Sequence, residues 1–285
     1  MTDIKLFNVE KEITWCPGCG DFIILKALKQ AFSELGLTPT DTVVVSGIGQ
    51  AAKTPHYINT NGFNGLHGRG LPAACGIHVA NQDLNLFVVT GDGDAFSEGG
   101  NHFLHNIRRN LNLVHLVYDN QIYGLTKGQG SPTTAFGQET TSQTNGVYLD
   151  ALNPIALALS LNCGFVARGF AGDANQLVEL IKEAYHYDGY AFIDILQPCV
   201  SFNKVNTYQW YKERVYKLDS DYDYADKVLA FKTGQEWGNR IPTGIIYKDK
   251  KASYFKNLPH LSDNTVLIHQ PWQVNNIQPL IDEFK

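Results

Sequence analysis

An apolar run closed by Gly91-Asp92-Gly93, a helical stretch, and a second apolar run closed by Asn120 limit how this chain can fold. Residues 86–90 (Leu-Phe-Val-Val-Thr) and 113–118 (Leu-Val-His-Leu-Val-Tyr) read as buried strands, with a helix from Gly99 to Asn110 between them. Asp92 and Asn120 then fall just past two strand ends. In an open α/β sheet the ligand crevice lies at those carboxyl ends. A carboxylate and a side-chain amide there are oxygen donors suited to Mg²⁺, an ion that keeps positions for phosphate oxygens. The pair therefore reads as the seat of a diphosphate group.

The same alternation runs through residues 42–196 and predicts a doubly wound parallel sheet. Asp21 is expected to cap a helix with Ile24, Leu25, Leu28, Phe32 and Leu35 on its apolar face, ended by Gly36. A short strand at Thr42–Val45 runs into Ser46-Gly47-Ile48-Gly49-Gln50, residues 54–70 read as loop, and Leu71–Ala80 as a helix. After Asn120 a polar stretch rich in Gly, Thr, Gln and Ser continues to about Tyr148, and so long a loop is usually functional. Asn153-Pro154 opens a helix, and Gly164–Phe170 is a strand. Asp173 with Gln176 caps a helix to about Tyr187, and Tyr190–Leu196 is the last parallel-type strand, with Cys199 beyond it. Two parts are expected: an α/β domain over residues 1–200 and, over 201–285, an irregular extension carrying Trp210, Trp237 and Trp272. The extension is expected to pack on the domain or on a partner subunit.

Composition narrows the class. With 285 residues, 44% hydrophobic and 18% charged, the chain is ordinary globular material. A net charge of −5 argues against bulk nucleic-acid binding. No apolar stretch reaches membrane-spanning length and the N-terminus lacks a signal-peptide core, so no membrane partner and a cytoplasmic location are expected. Five cysteines in a reducing compartment need form no bridge.

Several motifs have a bland reading beside a functional one. Gly47-Ile48-Gly49-Gln50-Ala51-Ala52 imitates a dinucleotide fingerprint, but Pro55 interrupts the helix that fingerprint needs, and no acid lies where the ribose ligand belongs. The loop can still offer N–H groups to another ligand. Cys16-Pro17-Gly18-Cys19 could be half a zinc knuckle, a redox pair or a plain turn, although no strand precedes it as in a redox motif. Were Cys199 to approach it, three thiolates would favour an iron–sulfur cluster or zinc. Cys75 and Cys163 sit in apolar surroundings and read as core. His67 and Arg69, in Leu66-His67-Gly68-Arg69, suit an anionic ligand, though His67 reads equally as a satisfied loop histidine. Lys53 and Lys127 flank the cofactor loops and could pair with a substrate carboxylate, though most loop lysines are simply solvated.

Together these blocks resemble the β subunit of 2-oxoacid:ferredoxin oxidoreductases, the thiamine diphosphate and iron–sulfur subunit. The likeness runs from Trp15 to about Tyr216 and weakly through residues 237–244 (Trp-Gly-Asn-Arg-Ile-Pro-Thr-Gly). It rests on Thr-Trp-Cys-Pro-Gly-Cys-Gly, Val-Val-Ser-Gly-Ile-Gly, Leu-His-Gly-Arg, Gly-Asp-Gly-Asp, Asp-Asn-Gln-Ile-Tyr-Gly-Leu-Thr-Lys-Gly-Gln and Leu-Gln-Pro-Cys, in order. The Cys-Pro-Gly-Cys form is similar to the 2-oxoglutarate and broad 2-oxoacid branch.

The resemblance implies the pyrophosphate-domain type of sheet and coenzyme A-dependent oxidative decarboxylation of a 2-oxoacid, with ferredoxin as acceptor. 2-Oxoglutarate is favoured, and pyruvate is the alternative. It implies thiamine diphosphate, with Mg²⁺ held by Asp92, Asn120 and the Ile122 carbonyl. Ile48, Gly49, Gln50, Ala51, His67, Gly68, Arg69, Gly91, Gly93, Asp94, Gly124 and Leu125 would line the cofactor, and Lys53, Lys127 and His67 would serve the reaction. It implies an α subunit, in a heterodimer or heterotetramer, which brings the glutamate that activates the cofactor. Cys16, Cys19 and Cys199 match three of the four cysteines that hold a [4Fe-4S] cluster in the family. Gln50 stands where the fourth is expected, and a carboxamide is a poor ligand for such iron. A cluster with another fourth ligand, a three-iron cluster, or none is open. The last would suit a non-oxidative decarboxylase or carboligase.

Overall fold

A computed structural model describes residues 1–258, 266–269 and 277–285. Its centre is a sheet of eight strands: β1 (Thr42–Ser46), β2 (Asn61–Asn64), β3 (Asn85–Gly91), β4 (Leu113–Asp119), β5 (Phe165–Phe170), β6 (Tyr190–Leu196), β7 (Val215–Lys217) and β8 (Ile241–Lys248). Their order is β2-β1-β3-β4-β6-β5-β8-β7. Every neighbouring pair is parallel except β5 with β8. Strands β1, β4, β5 and β6 are buried along their whole length. That is why they read as continuous apolar runs rather than as an alternation: helices cover both faces.

On one face lie α1 (Gly20–Glu34) and α5 (Ala174–Tyr185). Ile24, Leu28, Phe32, Leu177 and Ile181 pack there on Val44, Phe87, Val89, Leu116 and Ile193. On the other lie α2 (Gly70–Ala80), α3 (Gly100–Arg109), α4 (Pro154–Ser160) and α7 (Lys227–Gly234). Leu71, Phe103, Ile107, Ile155 and Ala230 meet Val43, Val45, Val88, Val117 and Phe192. Alternate residues of one strand thus feed opposite cores, the period-two rule applied to a sheet covered twice. Two shorter helices, α6 (Tyr208–Lys212) and α8 (Gln278–Asp282), lie outside these layers.

Several expectations need correction. Asp21 does not cap α1: the helix starts at Gly20 with Cys19 at the cap position, so Asp21 lies inside the first turn and is buried. Residues 54–70 are not all loop. A 3₁₀ turn spans Ala51–His56, and Asn61–Asn64 is the exposed edge strand. Its Asn-Gly-Phe-Asn sequence has little strand propensity. Pairing with β1 holds it, helped by Asn61 Nδ2 donating to the Thr40 carbonyl at 2.9 Å. Helix α5 ends at Tyr185, close to the expected end, and Asp173 accepts from the Gln176 N–H at 3.1 Å. The segment after residue 200 adds β7 and β8 to the same sheet. Trp272 lies outside the described residues.

Helix α3 ends at Asn110, in the left-handed region at φ 56°. Its side chain accepts from the Tyr190 N–H at 3.0 Å and donates to the Ala252 carbonyl at 3.0 Å. One residue thereby joins the end of α3, the start of β6 and the segment after β8.

Candidate active site

The chain leaves β1 for the edge strand on one side and resumes at β3 on the other, so the crevice at the carboxyl end of β1 and β3 is a topological switch point. Register sharpens the placement. Gly91 pairs with Tyr118, and Asp119 with Leu196. Asp92, Asn120 and the Pro198-Cys199 turn therefore emerge side by side from three adjacent strands.

A single hollow there is lined by Ile48, Gly49, Gln50 and Ala51 after β1, by His67, and by Gly91–Asp94 after β3. Asn120, Ile122, Tyr123, Gly124, Leu125 and Thr126 close it from β4. Most of the residues expected at a cofactor are brought together. Gly68, Arg69, Lys53 and Lys127 do not line it. Gly68 sits just behind, donating its N–H to Asp94 Oδ1 at 2.7 Å. Arg69 is exposed at the start of α2. Lys127 is exposed, at φ 76°. Lys53, in the 3₁₀ turn, is half-buried.

Asp92 is 2% exposed, and burial pushes its carboxyl up to about 6. Its Oδ2 accepts from Ser131 Oγ at 2.5 Å, and Thr133 Oγ1 lies 2.6 Å away. The same Thr133 oxygen is 2.8 Å from Asp119 Oδ1. One hydroxyl proton cannot serve two carboxylates. Burial, then the charges of Asp92 and Asp194, raise Asp119 well above the usual carboxylate range. Neither Ser131 nor Thr133 stands out in the sequence. Their one signal is membership of the long polar stretch after Asn120.

Asp94 ties two loops together. Its Oδ1 accepts from the N–H groups of Ile48 (3.1 Å) and Gly68 (2.7 Å), and His67 Nδ1 lies 2.8 Å from it. Two glycines make this possible. A Cβ at Gly47 would stand 2.0 Å from Asp94 Oδ2, and one at Gly68, where φ is +70°, would stand 2.4 Å from the Glu98 backbone. Asp94 opens a widened π turn, Asp94–Glu98, ahead of α3. Tyr123 donates to Glu98 at 3.1 Å across the mouth of the hollow.

A second hollow adjoins the first and shares Gln50, Asn120 and Gly124 with it. Cys16, Cys19 and Cys199 line it together with Trp15, Asp21, Gln197 and Phe202. Trp15 Nε1 donates to the Gln50 carbonyl at 2.9 Å, pinning the cysteine loop to the glycine loop. Gln197 Nε2 donates to Cys19 Sγ at 3.4 Å. Burial, then the Asp21 charge, pushes the Cys19 thiol up, and Cys199 adds to it. Burial pushes the Asp21 carboxyl up to about 7. Cys75 is half-buried in α2, and Cys163 is buried before β5. Among the described residues, no three His, Cys, Asp or Glu side chains are placed to share one metal ion.

The profile described as "Thiamine pyrophosphate enzyme, C-terminal TPP binding domain" matches residues 42–195. The profile for the C-terminal part of the pyruvate ferredoxin oxidoreductase beta subunit matches 199–263. The chain is 44% identical to "2-oxoacid:ferredoxin oxidoreductase 1, subunit beta" of Aeropyrum pernix, over 99% of this chain and 94% of that one. It is 45% identical to "2-oxoglutarate oxidoreductase subunit KorB" of Mycobacterium tuberculosis, over 70% of this chain and 53% of the relative. A solved 2-oxoglutarate:ferredoxin oxidoreductase from Magnetococcus marinus, described with 2-oxoglutarate, coenzyme A and succinyl-CoA bound, superposes with a TM-score of 0.92 at 34% identity. That superposition covers 100% of this chain and 96% of the other. The chain therefore belongs to the 2-oxoacid:ferredoxin oxidoreductases, as a β subunit built on a thiamine pyrophosphate-binding domain.

Proposed function

We propose that this chain, with an α subunit, converts a 2-oxoacid, coenzyme A and oxidised ferredoxin into acyl-coenzyme A, CO₂ and reduced ferredoxin. 2-Oxoglutarate is the favoured substrate and pyruvate the alternative. The observation that carries the reading is the one hollow in which the tips of β1, β3 and β4 meet, lined by Gly49, Asp92, Gly93, Asn120 and Ile122. The names of several relatives support 2-oxoglutarate.

In this reading Asp92 and Asn120 give side-chain oxygens to Mg²⁺, and Ile122 gives its carbonyl. All are hard donors that leave positions for phosphate oxygens. The donor set fits the ion, since both side chains stand at the strand tips and Ser131 and Thr133 fix the Asp92 carboxylate from behind. Bound there, thiamine diphosphate would supply the electron sink for decarboxylation. Gly49, Gly91 and Gly93 let the main chain approach, and Asp94 holds the Ile48 and Gly68 N–H groups in place. His67, Gln50, Ala51, Gly124 and Leu125 wall the cofactor, with Gly68 and Arg69 behind. Lys53 and Lys127, although they do not line the hollow, are the cations assigned to the 2-oxoacid carboxylate. Cys16, Cys19 and Cys199 hold an iron–sulfur cluster beside this hollow, as a soft donor set lining the adjoining one. The working protein is cytoplasmic.

The test uses the purified αβ complex. Coenzyme A-dependent viologen reduction is expected, faster with 2-oxoglutarate than with pyruvate. No reduction with any 2-oxoacid would sink the reading. Gln50 specifically favours a second reading, a cluster-free decarboxylase or carboligase, which aldehyde or acyloin release without viologen reduction would select.

A further inference from the structure

Asp21 is an oddly placed charge. It is 1% exposed, and neither carboxylate oxygen has a well-formed hydrogen bond among the described residues. An unpaired buried carboxylate is strongly unfavourable. Such a group persists where a cation meets it. Asp21 also lines the hollow of Cys16, Cys19 and Cys199.

The position follows from the chain path. Cys19 turns back on Cys16, its N–H donating to the Cys16 carbonyl at 2.9 Å, and α1 starts at the next residue. Gly20 presses on the turn after β6: a Cβ there would stand 2.8 Å from Gln197 Cγ. The first turn of α1 is thereby pulled against the Cys199 turn, and Asp21 is carried inward with it.

We propose that Asp21 supplies the fourth protein ligand of a four-iron cluster in this hollow, opposite Cys16, Cys19 and Cys199. The inference rests on the cluster reading above and names the donor that reading leaves open. Charge decides between Asp21 and Gln50, whose Oε1 is also buried and unpartnered. A carboxylate replaces a thiolate charge for charge, so three thiolates and Asp21 leave the cluster with the net charge of a four-thiolate site. A carboxamide would leave it one unit more positive, and net charge is a main determinant of cluster potential. The carboxylate also gains the cation it lacks, whereas a neutral amide gains little.

The test is made on the αβ complex purified and reconstituted without oxygen, as wild type and as Asp21→Ala, Asp21→Cys and Gln50→Ala. Iron analysis and low-temperature paramagnetic resonance are the readouts. Wild type and Gln50→Ala are expected to hold about four irons per chain, and Asp21→Ala about three, with a three-iron signal on oxidation. Asp21→Cys should keep about four. Should Asp21→Ala fold poorly, pulsed resonance on reduced wild type carrying ¹³C-carboxyl aspartate is expected to show through-bond coupling to one carboxylate. The assignment fails if Asp21→Ala keeps the wild-type iron and spectrum, if Gln50→Ala alone loses an iron, if wild type holds three irons, or if no such coupling is seen. Absence of iron from wild type that still binds thiamine diphosphate would fell the cluster reading itself, a different result.

Discussion

Two hollows lie side by side and are built in opposite ways. The diphosphate hollow rests on the ends of three parallel strands buried in the middle of the sheet, so each wall inherits its position from the core. The cysteine hollow is assembled from an N-terminal loop, the start of a helix and a turn after β6. Only Gln50, Asn120 and Gly124 belong to both. The first is fixed by sheet register. The second depends on small docking contacts such as Trp15 to Gln50 and Gln197 to Cys19. Substitutions should therefore act locally in the first and spread in the second.

The largest expected effect tests the first hollow directly. Asp92→Ala should weaken Mg²⁺-dependent thiamine diphosphate binding by at least ~100-fold, measured by titration calorimetry on the complex, while leaving cysteine-site iron unchanged. Loss of iron as well would show that the two hollows are not separable. Gly68→Ala should cost about 1–3 kcal/mol, because it forces a side chain onto positive φ and into the Glu98 backbone. Denaturant unfolding reads it, and a cost near zero would mean the loop has slack. Thr133→Val should lower Mg²⁺ affinity about 10-fold without changing the unfolding midpoint of the unliganded protein by much.

A separate effect is a slope against pH. His115 is fully buried between Thr90 Oγ1 (2.8 Å) and the Tyr190 hydroxyl (2.6 Å), and burial lowers its pKa to about 3. A histidine depressed on folding binds more protons when unfolded. Its stabilisation is complete above the unfolded pKa, near 6.5, and is lost as pH falls toward 3. Stability should drop by up to ~1.4 kcal/mol per pH unit over that window. His115→Gln should flatten the slope in acid unfolding curves. An unchanged slope would assign the acid sensitivity elsewhere.

The first hollow is legible in the sequence because fully buried parallel strands leave unbroken apolar runs. Glycine, aspartate and asparagine then mark where those runs stop. Ser131 and Thr133 are not legible, since they reach Asp92 from a loop with no periodicity. Nor is β2, whose residues form a strand only because β1 is there to pair with. Asp21 misleads for a local reason. An acid before an apolar helical pattern usually caps it, and here the cap falls two residues earlier, at Cys19, turning a surface group into a buried one. Lys53 and Lys127 illustrate the limit for loop cations: their positions in the chain flank the crevice, yet neither side chain lines it.

Asn110 has a consequence for the order of assembly. It fastens residues separated by 142 positions, at the end of the sheet away from both hollows. Contacts of such span close late, after the ends they join have been brought together by other means. The stretch beyond β8 should thus settle last, and a chain shortened before residue 252 would lose a clasp rather than its catalytic crevice.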